Sequence, residues 1–97
     1  MTHEVKMCGA FLQVGDKAFH IDKIGSVVVG IATPGTEYDR FKGMSFVKIY
    51  YNVGHGDYSA MFWYGGTKTE DWALIERNRN DANKLFERIL SALELAV

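Results

Sequence analysis

The chain is short of the residues that staple or interrupt a fold: it holds one proline, Pro34, and one cysteine, Cys8. A lone cysteine excludes an internal disulfide, and no asparagine opens an Asn-x-Ser/Thr acceptor site. Long hydrophobic runs are also missing. No window approaches the roughly 20 apolar residues that span a bilayer, and Met1–Cys8 contains no stretch resembling a secretory core. An excess of either charge is absent too: eleven Lys and Arg stand against twelve Asp and Glu, for a net charge of -1. From residue 49 onward five basic residues face seven acidic ones. The overall field therefore gathers neither phosphate backbones nor anionic lipid. Together these absences predict a cytoplasmic protein with no membrane partner, for which nucleic acid is an unfavoured ligand.

What remains is a globular composition. Of 97 residues, 47% are hydrophobic and 24% charged, a length that suits one domain over residues 1–97 with a single core. Ten glycines supply the punctuation. Phe11–Val14 and Ala18–Asp22 flank Gly15-Asp16, which favours a tight hairpin because glycine accepts positive φ. Ile24–Ala32 is the most β-branched run and stops at Thr33-Pro34-Gly35-Thr36, whose Pro-Gly centre suits a type II turn. A polar loop is expected from Gly35 to Gly43. Met44–Tyr51 and Tyr58–Tyr64 read as a second, aromatic hairpin around Asn52–Asp57. Gly65-Gly66 then offers a further turn, which predicts a last strand over Thr67–Glu76.

The C-terminal segment has the period of a helix. Ala82, Leu85, Phe86, Ile89, Leu93 and Ala96 recur at steps of three and four, and Asn78, Asn80 and Asp81 supply capping oxygens, so a helix is expected over roughly 80–96. Leu90, Ala92 and Val97 widen its apolar stripe enough to contact both a sheet and something else: the leading expectation is a helix lying across its own sheet, and the sharper one adds a helix-mediated dimer contact. The predicted fold class is α+β: an antiparallel sheet or partly closed barrel of five to six strands within residues 10–76, followed by one C-terminal helix. The order of elements is compatible with a pleckstrin-homology-like barrel and with a curved sheet cradling the helix. No residue motif selects between them.

The functional signal lies in the aromatic hairpin. Alternation puts Val47, Ile49 and Tyr51 on one face and Phe46, Lys48 and Tyr50 on the other, then opposes Ala60, Phe62 and Tyr64 to Met61 and Trp63. Both faces carry apolar bulk, whereas a sheet with one wet face alternates apolar with polar. A chain with one good helix has little to cover the second face, so association with a protein partner or with itself is expected. The candidate binding residues are Tyr50, Tyr51, Trp63, Tyr64, Lys48 and His55. The resulting expectation is a small non-catalytic binding, adaptor or inhibitor domain that forms homo-oligomers. The alternative is a domain for single-stranded nucleic acid, stacking bases on the same rings, or for a small ligand inside a half-open barrel. A small hydrolase or metal enzyme ranks third.

Chemistry of other kinds finds few components. Gly54-His55-Gly56-Asp57 lacks the third glycine and the strand-to-helix transition of a dinucleotide loop. His55 and Asp57 provide neither nucleophile nor oxyanion donors by spacing alone. His20 and Asp22 share a strand face, but a zinc or iron site needs three or four ligands, and only His3, His55 and Cys8 stand beside the carboxylates. No metal and no cofactor are therefore expected.

Overall fold

The computed structural model of the protein describes residues 3–32, 41–54 and 56–95. The expected Thr33–Thr36 turn, most of the polar loop that follows it, and His55 lie outside the described residues. Among the described residues six strands come first: β1 Val5–Cys8, β2 Phe11–Val14, β3 Lys17–His20, β4 Ile24–Ile31, β5 Ser45–Asn52 and β6 Asp57–Tyr64. One α-helix follows among them, α1 Trp72–Leu95. The architecture is α+β, as expected, and the strands are antiparallel. They form two separate three-stranded sheets, β1-β2-β3 and β4-β5-β6, in place of the single sheet or barrel predicted.

The break between the sheets is local. A one-turn 3₁₀ helix over Ile21–Lys23 follows β3 and turns the chain into β4, with the Asp22 amide donating to His20 Nδ1 at 3.3 Å. Because that turn replaces a hairpin, β3 and β4 never pair. β1 is an element the sequence did not disclose. Its Lys6 and Cys8 are exposed while Val5 and Met7 are half-buried, a polar-apolar alternation only four residues long.

The expected strand over Thr67–Glu76 is also absent. Thr67–Asp71 is irregular and α1 begins at Trp72, eight residues before the predicted start. The signal is a conventional N-cap: the Asp71 carboxylate accepts from the Ala73 amide at 3.0 Å, and Thr69 Oγ1 accepts from the Asp71 amide at 3.0 Å. Asn78, taken as a capping candidate, instead lies buried in the second turn and donates to the Gly43 carbonyl at 3.2 Å. Gly43 is required there. Its φ is +83°, and a Cβ would stand 2.3 Å from the Thr69 carbonyl oxygen.

A single core joins the three layers. Leu12, Val14 and Phe19 come from the first sheet, Val47, Ile49, Ala60, Phe62 and Tyr64 from the second, and Ala82, Leu85 and Ile89 from α1. The Phe19 ring meets Tyr51 at 5.3 Å and Phe62 at 6.4 Å, both edge-on, which ties the sheets together. α1 packs on β5, β4 and β6 and also on β1 and β2.

The segment before β1 is pinned to the end of β6. The Tyr64 hydroxyl accepts from the His3 amide at 3.4 Å and lies 3.1 Å from His3 Nδ1, while the imidazole sits edge-on to Phe62 and Tyr64. Burial pushes the His3 imidazole below the ordinary histidine range, so the fold favours its neutral form. Burial likewise raises the Tyr64 phenol.

Two outcomes follow from this packing. Leu85→Ala removes a side chain that is 1% exposed and is expected to lower unfolding free energy by about 2–5 kcal/mol in denaturant titrations, whereas exposed Arg79→Ala changes it by less than about 0.5 kcal/mol. The lowered His3 value makes protonation favour the unfolded chain. Its stabilisation is complete above the unfolded value of about 6.5 and declines as pH falls below it, so the melting temperature should drop on acidification, and His3→Gln should flatten that part of the profile.

Candidate functional site: the outer face of the second sheet

Register fixes which residues of the second sheet share a face. Three cross-strand rows point away from the core: Ser26–Tyr50–Ser59, Val28–Lys48–Met61 and Gly30–Phe46–Trp63. The intervening rows, Val27–Ile49–Ala60 and Val29–Val47–Phe62, point inward. Buried β5 residues alternate with more exposed ones from Ser45 to Tyr50, so both neighbours read the same pleat.

The outer face is aromatic at one end and open at the other. At the Gly30 end, Phe41 stacks on Trp63 with centroids 4.5 Å apart, and Phe46 lies 5.3 Å from the same indole. Gly30 makes room for this cluster, since a Cβ there would come within 2.7 Å of the Phe46 ring. At the far end Tyr50 is 39% exposed and Val28 is 38% exposed. Lys48 Nζ stands 5.0 Å from the Tyr50 ring centroid, within cation–π range. Lys48 is the one charged residue in the three outward rows.

The six residues singled out from sequence thus separate. Tyr50, Lys48 and Trp63 share the outer face. Tyr51 points inward, stacked on Tyr58 at 5.9 Å and edge-on to Phe19. Tyr64 also points inward and is 3% exposed, so it belongs to the core. His55 lies outside the described residues. Val28, Phe41 and Met61 belong to the face and were not singled out. Alternation within Tyr58–Tyr64 already put Met61 with Trp63, whereas Val28 joins the face only through its register with Lys48.

Among the described residues several depressions lie off this face. A cleft of about 690 Å³ runs between β3 and β6, lined by Phe11, Phe19, Tyr51 and Met61 with Lys17 and Lys23. Another, of about 520 Å³, lies between the end of β6 and the first turns of α1, and its lining includes Lys68, Arg77 and Asp81. Among the described residues no three His, Cys, Asp or Glu side chains converge as a metal site, and no helix is long and apolar enough to cross a membrane. Cys8 is exposed, with its Sγ 3.8 Å from Gln13 Oε1. Comparison of the chain with protein-family models, curated proteins and solved structures finds no match.

Proposed function

We propose that the protein is a small non-catalytic docking domain that meets another protein through the outer face of β4-β5-β6 and also associates with itself. The observation that carries this reading is the exposure of Tyr50 and Val28 on neighbouring rows of a nine-residue face whose one charge is Lys48. Tyrosine buries a large area with little rotamer entropy and keeps a polar tip, the combination that anchors protein interfaces. A single cation among nine outward positions offers little to a phosphate backbone, which favours a protein over single-stranded nucleic acid.

A second reading rests on the cleft between β3 and β6. Its aromatic walls together with Lys17 and Lys23 suit a small apolar molecule bearing a carboxylate. Displacement of a fluorescent fatty acid that weakens in Lys17→Glu/Lys23→Glu would support it, and no binding by the unaltered protein would dismiss it.

The leading reading is tested by affinity capture with the intact protein, followed by reconstitution with each purified candidate partner. Tyr50→Ala is expected to weaken the reconstituted pair by about 30-fold, the effect of losing an anchor worth about 2 kcal/mol. Equal affinity of both forms would remove the outer face from the interaction.

A further inference from the structure

We propose that two copies of the protein join edge to edge through β4, antiparallel about a two-fold axis at Val29, to make one continuous six-stranded sheet. The inference rests on the self-association part of the reading above and specifies where it occurs.

The backbone identifies the open edge. The Ala32 amide donates to the Met44 carbonyl at 3.0 Å, which fixes the parity of the β4–β5 ladder. Antiparallel alternation then turns the amides and carbonyls of Ser26, Val28 and Gly30 toward β5. Those of Val27, Val29 and Ile31 point away from β5. Among the described residues no strand lies on that side. An edge of this kind is completed by another strand.

The four sheet edges are not equally guarded. β1 carries Lys6, β3 carries Lys17, and β6 begins at Asp57. β6 also borders the cleft opposite β3. β4, Ile24-Gly25-Ser26-Val27-Val28-Val29-Gly30-Ile31, has no charge and no proline. Its one irregularity, a register shift between Ile24 and Ser26, sits at the start and leaves Val27–Ile31 regular. Charged residues, prolines and bulges are what keep edge strands apart, and that stretch has none of them.

Val27–Ile31 is also self-complementary. Centred on Val29, the pairing sets Val29 against Val29 and Val27 against Ile31 on the inner face, and Val28 against Gly30 on the outer. It uses all three outward amides and all three outward carbonyls of each copy, with no charge brought against a like charge.

The helix supplies a second contact on the same side. Leu74 and Asp81 line a depression with Tyr64 of β6, and Arg88 and Ala92 line another with Val5 of β1. That flank of α1 therefore faces β6 and β1. β4 lies across β5 from β6, so the opposite flank, Phe86, Leu90 and Leu93 at steps of four and three, is on the β4 side. Leu90 is 43% exposed there. Joining the β4 edges brings these two flanks toward each other and covers both leucines.

Sedimentation velocity and amide exchange by nuclear magnetic resonance test the proposal on the full chain. The wild type is expected to dimerise, with the Val27, Val29 and Ile31 amides gaining protection as concentration rises while those of Ser59 and Met61 on the β6 edge do not. Val29→Pro removes an outward donor and spares the β5 ladder, and it should raise the dimer dissociation constant at least tenfold. Leu90→Lys should do so independently, on a helix position that leaves the sheet untouched. A wild type that stays monomeric at high concentration would overturn both the edge pairing and the self-association reading. A dimer that Tyr50→Glu disrupts, while Val29→Pro and Leu90→Lys leave it intact with no β4 protection, would overturn the edge pairing alone. Near-ultraviolet circular dichroism establishes that each variant is folded.

Discussion

The central strand β5 carries apolar bulk on both faces, and the other elements are arranged around that constraint. Val47 and Ile49 are fully buried beneath α1 and the first sheet, while Phe46 and Tyr50 face the other way. The inner demand is met within the chain, since Leu85 and Ile89 of α1 and Phe19 of β3 complete the same core. On the outer side Phe41 and Phe46 pack about Trp63, and exposure rises toward Tyr50 and Val28. A strand with apolar bulk on both faces usually sits between two layers, which is what motivates the interface proposed for this sheet.

The helix answers the same constraint in one dimension. Its buried positions Ala82, Leu85 and Ile89 cover the inner face, while Phe86, Leu90 and Leu93 widen the stripe on one flank, the one the edge-pairing proposal sets beside β4. One helix thus serves as a lid for the core and leaves an apolar margin beside the unguarded strand. Edge and margin lie on one side of the molecule, and the β6 edge, which borders a cleft with β3, is on the other. That asymmetry separates the two proposed contact regions, so edge pairing between copies would leave the outer face open to a protein partner.

Much of this was legible in the residues. Gly15-Asp16 announced the β2–β3 hairpin, the alternation in Met44–Tyr51 sorted inward from outward side chains, and the three-and-four spacing from Ala82 marked the helix. The helix start was misplaced because the apolar period weakens before Ala82, where buried Asn78 occupies a core-facing position; the Asp71 cap carried the information instead. The split into two sheets was illegible because it depends on the 3₁₀ turn at Ile21–Lys23, which no glycine or proline marks. Tyr64 was grouped with the binding aromatics because its type suits a surface, whereas its parity with Phe62 and its contact with His3 put it inside. Val28 could join the face only once the register was known, since cross-strand neighbours are invisible to a reading of one strand at a time.

If a second copy completes the apolar β4 edge, small-angle X-ray scattering across a concentration series reads it as particle mass. Edge pairing gives a mass that rises to about twice the 10.9 kDa of the chain and falls back to 10.9 kDa in Val29→Pro. A mass of 10.9 kDa for the wild type at every concentration would contradict it.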